Sequence, residues 1–312
     1  MKTMKIYLSK INESWIIDRI REEWYENNSH ISTRRIRNAD IIWVTAPWTW
    51  RKISQKQLRL KKVLCSYYHF DFDKFGNDDE KNFYELDSYV DEYHVISKKT
   101  KLQLETLTDK KITSIPFWVN QNIWFEQEIN EKEKTRSNYG FSSTDYLVGS
   151  FQRDTEGFDL KSPKLSKGPD IFLEIVSDLY KKNKNLVVVL TGKRRNYLIN
   201  NLNERQIPYK YFEMVNFNKL NKLYNILDLY IVSSRVEGGP QSILEAGITK
   251  TPIISTNVGV APEILDKKSI YINDYKLAIP QVEIAYKNAK SFILPDGMNK
   301  FLSIFDNMVQ NN

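Results

Sequence analysis

The stretch DLYIVSSRVEGGPQSILEAGITKTPIIST, residues 228–256, decides the fold. It reads as a buried strand (Leu229 to Val232), a loop holding Glu237 with Gly238 and Gly239, a helix opened by Pro240, and a second strand (Pro252 to Ser255). That is a βαβ unit whose loop lies at the carboxyl end of a strand, where open α/β sheets bind ligands. Two carboxylates bracket the helix start, Glu237 in the loop and Glu245 in the second turn. Glycines allow a backbone to come close to a ligand, and proline suits the first helical position because its missing N–H would have had no intrahelical partner. The next amides, of Gln241 and Ser242, belong to a helix N-terminus, which favours anions. A diphosphate at those amides, a ribose diol on one carboxylate and a sugar hydroxyl on the other would use every part.

Composition bounds the rest. A chain of 312 residues with 41% hydrophobic content can hold two ordinary domains. The opening MKTMKIYLSKI has only a short apolar run (Ile6 to Leu8) and makes a poor signal peptide. No run nears the ~20 apolar residues a membrane span needs; the longest, Leu186 to Leu190, is strand-sized. The single cysteine, Cys65, excludes an intrachain disulfide and multi-cysteine zinc sites and fits a reducing compartment. Cytoplasmic residence is therefore expected. The formal charge of +7 suits an anionic partner such as a nucleotide, an anionic lipid surface or nucleic acid.

Two halves follow along the chain. In the first, strands are expected at 4–9, Asp40 to Thr45, Val63 to Phe70, Tyr93 to Ile96 and Lys111 to Phe117, with helices at Glu13 to Asn27 and Lys98 to Leu107. The segment Asn122 to Ser143 is polar, without apolar periodicity, and reads as a connection. From Tyr146 strands and helices alternate regularly: strands at Tyr146 to Phe151, Leu186 to Thr191, Tyr209 to Glu213, Leu229 to Ser233, Pro252 to Ser255 and Ile270 to Asn273, and helices at 169–182, 194–204, 218–227, 240–249 and 275–290. Such alternation predicts a parallel, doubly wound sheet. The expected domains are 1–121, a connection 122–144, 145–294, and a C-terminal helix 295–312 whose apolar face includes Phe301, Ile304 and Phe305.

The second half resembles the nucleotide-sugar-binding domain of family-4 retaining glycosyltransferases. GSFQRD (Gly149 to Asp154) precedes SKGPDIFLEIV; a second strand ends in LTGKRR (Leu190 to Arg195); LNKLYNILDLYIVSS leads into EGGPQSILEAG, an E-x7-E element in its EGGP variant. The likeness is specific over about 145–265 and weaker in the first half, where it rests on DEYHVISKKTKLQLE and SIPFWVNQNIWF. It implies an α/β fold of two Rossmann-like domains (GT-B) facing each other across a cleft, with the C-terminal helix returning to the N-terminal domain. It also implies that Arg153 and Lys167 hold the donor diphosphate, in place of a metal, as planar guanidinium and point-charge ammonium. Glu245 would take the ribose hydroxyls and Glu237 the transferred sugar, with Gly238, Gly239, Gln241 and Ser242 lining sugar and phosphate. Because TEGFDLKSPKLS intervenes between Arg153 and Lys167, Lys161 and Lys164 are alternatives for the phosphate lysine. A base-contacting position falls at Met214, within Glu213 to Val215. Lys193 and Arg194 read as a solvated helix start.

His69 ends the strand VLCSYYHF where family members place a sugar-contacting histidine; a rim or core histidine is the alternative reading. His94, inside a strand, reads as structural. Asp71-Phe72-Asp73 imitates a metal-binding DxD, but the donor machinery makes a metal redundant and none is expected. The first half departs from the family: KINESW (Lys10 to Trp15) stands where a Gly-Gly loop is usual. WTWRKISQKQLRLKK (Trp48 to Lys62) suits an anionic membrane or a lipid-linked acceptor, or is an ordinary solvated helix with a core-facing Trp. The expected activity is metal-independent, retaining transfer of a sugar from a nucleotide-diphosphate donor to a hydroxyl of a saccharide or lipid-linked acceptor, in surface polysaccharide or lipopolysaccharide synthesis. The rivals are an epimerase or hydrolase on the same scaffold and a non-catalytic nucleotide-sugar binding protein. Nucleic-acid binding has only the charge in its favour, with no RRM, KH, zinc or helix-turn-helix pattern.

Overall fold

The computed structural model describes residues 4–11 and 16–310. The chain divides into two compact units, Met1–Trp118 with Phe292–Asn312, and Val119–Ser291. The first contains β1 (Ile6–Leu8), α1 (Ile16–Asn27), β2 (Ile41–Val44), α2 (Gln55–Leu60), β3 (Lys62–Tyr67), α3 (Asn77–Asp87), β4 (Glu92–Val95), α4 (Lys98–Leu104) and β5 (Lys111–Ser114). The second contains α5 (Ile129–Asn138), β6 (Tyr146–Ser150), α6 (Pro169–Lys182), β7 (Leu186–Thr191), α7 (Asn196–Glu204), β8 (Tyr209–Phe212), α8 (Phe217–Ile226) and β9 (Leu229–Val232). It continues through α9 (Gln241–Ile248), β10 (Ile253–Thr256), α10 (Ala261–Ile264), β11 (Ile270–Tyr271) and α11 (Val282–Lys290). The last helix, α12 (Asp296–Gln310), belongs to the first unit.

The five strands of the first unit form a parallel sheet in the order β1-β2-β3-β4-β5. Both faces are covered, so β2 (IIWV) is apolar at every position rather than alternating. Ile41 and Trp43 point to one side, Ile42 and Val44 to the other. On the first side α1 supplies Ile17, Ile20 and Trp24, and α12 supplies Phe301, Ile304 and Phe305. The Trp43 ring meets Trp24 at 5.4 Å, Phe301 at 5.2 Å and Phe305 at 5.5 Å between centroids. On the second side lie Phe83 and Leu86 of α3 and Leu104 of α4. The expected return of the C-terminal helix to the first unit is what the core contains.

His94 is buried beneath this aromatic cluster and is structural, as its strand position suggested. Trp43 Nε1 donates to Ser66 Oγ (2.8 Å), Ser66 Oγ pairs with His94 Nδ1 (2.8 Å), and His94 Nε2 meets the Ile115 carbonyl (2.7 Å). The chain of bonds suits the neutral ring, with Nε2–H donating and Nδ1 accepting.

The second unit is a six-stranded parallel sheet in the order β11-β10-β9-β6-β7-β8. The strand order reverses between β6 and β9, which pair directly, so the loops leaving their carboxyl ends diverge around a crevice. Phe172, Ile175 and Val176 of α6 and Leu198 and Leu202 of α7 cover one face. On the other, Phe151, Tyr224 and Tyr230 pack as an aromatic trio with centroids 4.9–5.3 Å apart.

Several boundaries differ from expectation, each for a local reason. Segment 122–144, read as a connection, lies in the second unit and contains α5. That helix has no apolar stripe because it is held by charge instead: the Arg136 guanidinium bonds the Ile226 carbonyl and Asp228, both at 2.7 Å. Helix α3 escaped the reading because NDDEKNFYELD buries only Phe83 and Leu86, although three acids in its first turn favour a helix N-terminus. The expected helix 275–290 is broken at Pro280 into a short 3₁₀ turn (Tyr275–Leu277) and α11. Strand β3 ends at Tyr67, leaving His69 in the following loop. Residues 13–15 of the expected first helix, and Asn12 to Trp15 of KINESW, lie outside the described residues.

Burial pushes the His94 pKa down from 6.5 to about 4. Protons then bind the unfolded chain in preference to the folded one between those two values, so stability is complete above about pH 6.5 and falls as pH drops toward 4. We expect urea-unfolding free energies to lose up to ~1.4 kcal/mol per pH unit in this window, and His94→Gln to flatten the slope. Equal slopes in both proteins would show that another group carries the acid sensitivity.

Candidate active site

The site is built by the two loops that diverge from β6 and β9. After β6, residues 155–163 make a hairpin closed by an antiparallel bridge between Thr155 and Pro163. Its base is anchored by a fully buried ion pair, Arg195 Nε to Asp154 Oδ2 at 2.7 Å. The Thr155 hydroxyl donates to Asp154 Oδ1 (2.6 Å), and Arg195 also reaches the carbonyls of Gln152 and Thr191. Removing either member of such a pair would leave an uncompensated buried charge. Arg195, the last residue of LTGKRR, is thus the structural arginine of that motif, a role the sequence reading did not assign. Lys193 and Arg194 are exposed, and Arg194 reaches only the Gly157 carbonyl, at 3.4 Å.

The two loops are clasped together by backbone. The Ser166 carbonyl accepts from Arg235 N (2.9 Å) and Val236 N (3.1 Å). Gly168 caps α6 in the left-handed region (φ 60°, ψ 43°), and a Cβ there would sit 1.9 Å from the Ser233 carbonyl oxygen. The clasp brings Lys167 Nζ onto Glu237 Oε1 as a close ion pair. Ser234 Oγ lies 3.1 Å from Gln152 Oε1 and 3.4 Å from Glu237 Oε1, while Gln152 Nε2 donates to the Lys167 carbonyl at 2.9 Å. Gln152 therefore ties both loops, a bridging role with no signal in the sequence beyond its place in GSFQRD.

Lys164 and Lys161, the alternatives to Lys167, differ in their surroundings. Burial, then the charges of Arg153 and Lys167, hold the Lys164 ammonium below the usual lysine range, while Glu156 and Glu237 act in the opposite sense. Arg153, Lys164 and Lys167 are all carried by the segment between β6 and α6. Lys161 sits exposed in the hairpin turn, where its backbone N–H is capped by Asp159 (3.0 Å). Arg153 Nε donates to the Thr155 carbonyl at 2.8 Å, leaving the terminal nitrogens of its guanidinium beyond that bond.

Pro240 is the residue before the helix rather than its first member: α9 begins at Gln241, and Ile243 N bonds back to the Pro240 carbonyl (2.9 Å). The Ser242 side chain hydrogen-bonds the Tyr230 hydroxyl. The backbone of Glu237 and Gly238 rests on Gly259, where a Cβ would meet the Gly238 carbonyl oxygen at 2.3 Å. Glu245 is 6% exposed and accepts from the Tyr224 hydroxyl at 3.1 Å, so it is not a surface carboxylate. Met214 is exposed just past β8, beside the end of β7, since Gly192 N donates to the Glu213 carbonyl (2.7 Å).

Arg153, Lys167, Glu237, Gly238, Gly239 and Met214 thus lie on loops of the second unit, and Gln241, Ser242 and Glu245 on α9 of the same unit. His69 belongs to the first unit, where it is exposed and lines a cavity. Asp71 lies 4.0 Å from Lys74, and Asp73 is exposed. Among the described residues no group of three or more His, Cys, Asp or Glu is placed to hold a metal ion, and no helix is long and apolar enough to cross a membrane.

Two Rossmann-like parallel sheets of five and six strands, the second with its ligand loops at the reversal of strand order, define the architecture of GT-B glycosyltransferases. Residues 161–275 match the family described as glycosyl transferases group 1. Arg153 lies just ahead of the matched segment. Among solved structures, HepE from Anabaena with UDP and glucose superposes with a TM-score of 0.73 at 11% identity, covering 98% of this chain and 99% of that one. Sucrose-phosphate synthase from Thermosynechococcus elongatus gives 0.71 at 11% identity, covering 97% and 82%. A glycosyltransferase from Rickettsia africae gives 0.68 at 18% identity, covering 97% and 84%. These identities establish a shared fold. No curated protein matches the chain by sequence.

Gly168→Ala should cost at least about 2 kcal/mol of folding stability, because a side chain would combine left-handed strain with a clash against the Ser233 carbonyl. Gly76→Ala, at a helix cap with nothing within 4 Å of the new atom, should cost no more than ~1 kcal/mol. Urea denaturation of the two variants checks this; comparable losses would mean that the clasp is not rigid.

Proposed function

We propose that the protein is a retaining, metal-independent glycosyltransferase that moves a sugar from a nucleotide-diphosphate donor to a hydroxyl of a saccharide or lipid-linked acceptor. The observation that carries this reading is the convergence of Arg153, Lys164 and Lys167 on the loop that holds Glu237. Breaking the anomeric bond leaves an anionic diphosphate and a sugar with oxocarbenium character. Preorganised cations stabilise such developing charge most effectively where water is partly excluded, and Lys164 is half-buried. The two amides that open α9, of Gln241 and Ser242, add a dipole of the same sense.

In this mechanism Glu245, held by Tyr224, takes the ribose hydroxyls. Glu237 takes hydroxyls of the transferred sugar, its charge balanced by Lys167. Met214 lies where a base would rest. The bond from the anomeric carbon to phosphate oxygen breaks, the acceptor oxygen forms a bond on the same face, and its proton passes to the departing phosphate oxygen. The UDP and UDP-glucose complexes of HepE support a nucleotide-diphosphate donor as the substrate class. Surface polysaccharide or lipopolysaccharide synthesis in the cytoplasm is the setting we favour. The exposed cations Arg51, Lys52, Lys56 and Arg59, beside half-exposed Trp48 and exposed Leu60, support contact with an anionic membrane.

A thermal-shift panel of UDP-, GDP-, ADP- and CMP-sugars should identify one stabilising donor. With that donor, Arg153→Ala, Lys167→Ala and Glu245→Ala should each lower kcat/KM at least roughly tenfold, the low end of what losing one charge-stabilising contact costs. Chelation should leave turnover unchanged. Near-normal rates in all three variants, or activity that vanishes under chelator and returns with manganese, overturns the assignment.

A further inference from the structure

Tyr224 of α8 and Tyr230 of β9 are buried, and a buried phenol needs a partner for its hydroxyl. Both hydroxyls belong to one chain of hydrogen bonds that ends on the Glu245 carboxylate. Tyr224 donates to Glu245 Oε2 at 3.1 Å. Tyr230 bonds Tyr224 and the Ser242 side chain, and accepts from Phe151 N at 3.3 Å.

The direction of the chain follows from its protons. A tyrosine or serine hydroxyl has one proton to donate, and an ionised carboxylate only accepts. Tyr224 gives its proton to Glu245, so Tyr230 donates to Tyr224 and Ser242 donates to Tyr230. Ser242 and Glu245 stand three residues apart on α9, on the same side of the helix. The chain therefore leaves α9, passes through two buried rings and returns to α9 at the carboxylate. Bonds aligned in this way polarise one another in the same sense.

Ring packing does not call for these hydroxyls, since Phe151 joins the same aromatic trio without one. What the phenols add is a fixed donor on one oxygen of Glu245. Ordering a flexible side chain when a ligand binds subtracts from affinity. A carboxylate already held in place is spared that loss, and the hydroxyls it accepts from are bound the more tightly. A ribose offers a cis pair of such hydroxyls; a 2′-deoxyribose has lost one of them.

We infer that Tyr224, supported by Tyr230 and Ser242, is a positioning residue that sets Glu245 for a ribose diol and makes the site select ribonucleotides over 2′-deoxyribonucleotides. The inference deepens the glycosyltransferase reading and rests on it for the ribose at Glu245. The hydrogen-bond chain itself stands on the second unit alone.

Isothermal titration of the whole protein with UDP, GDP and ADP, each beside its 2′-deoxy counterpart, tests it. The wild-type protein should bind at least one of them roughly tenfold more tightly than the deoxy form, the scale of a hydrogen bond to a charged group. Tyr224→Phe keeps the ring and removes the hydroxyl. It should narrow the preference to about threefold or less by weakening the ribonucleotide, with the deoxynucleotide bound as before. Tyr230→Phe, one bond further from Glu245, should narrow it in the same direction, and it decides the question if Tyr224→Phe does not fold. Narrowing in either folded variant upholds the inference. An unchanged preference in every folded variant, equal weakening of both nucleotides, or no ribose preference in the wild-type protein overturns it and leaves the donor reading in place. Failure of every nucleoside diphosphate to bind the wild-type protein sinks the glycosyltransferase reading itself, and the inference with it.

Discussion

The site depends on one backbone contact, the pair of hydrogen bonds that the Ser166 carbonyl accepts from Arg235 and Val236. Two loops far apart in sequence meet there because β6 and β9 are neighbours at the reversal of strand order. Only a residue without a Cβ lets the chain at 168 lie against the Ser233 carbonyl. Once that approach is fixed, Lys167 has little choice but to meet Glu237. The geometry of the candidate site is thus a consequence of sheet topology plus one glycine.

Concentrating cations has a cost that the fold offsets locally. Arg153, Lys164 and Lys167 repel one another, and the lowered pKa of Lys164 expresses that repulsion together with its burial. Glu237 relieves one cation, and the buried Asp154–Arg195 pair pins the hairpin base from beneath. Burial raises the Asp154 pKa even against the neighbouring guanidinium.

Legibility followed physical period. The β6 to β11 alternation, the carboxylates eight positions apart and the aromatic face of α12 are all set by local spacing, and the structure places them as the spacing implies. What the sequence hides is whatever depends on long-range pairing. Helix α5 has no stripe because Arg136 anchors it to Ile226 and Asp228, some ninety residues away. Arg195 looks like Arg194 in a string of basic residues; only the fold shows that one is buried on Asp154 and the other faces solvent. The choice among Lys161, Lys164 and Lys167 could not be made from spacing because the intervening residues double back as a hairpin. Gln152 carries no chemical signature at all, yet it joins both loops.

The two units differ in how they handle charge. In the second, Arg153, Lys164 and Lys167 are carried on the segment between β6 and α6, with Lys167 paired to Glu237. In the first, Arg51 pairs with Glu85 and Lys74 lies 4.0 Å from Asp71. The overall charge of +7 therefore says little by itself about what the protein binds. Nucleic acid, which the net charge alone admits, needs a continuous basic track for its backbone. Arg153, Lys164 and Lys167 lie on the segment between β6 and α6 of the second unit, and Arg51, Lys52, Lys56 and Arg59 form a separate exposed strip in the first.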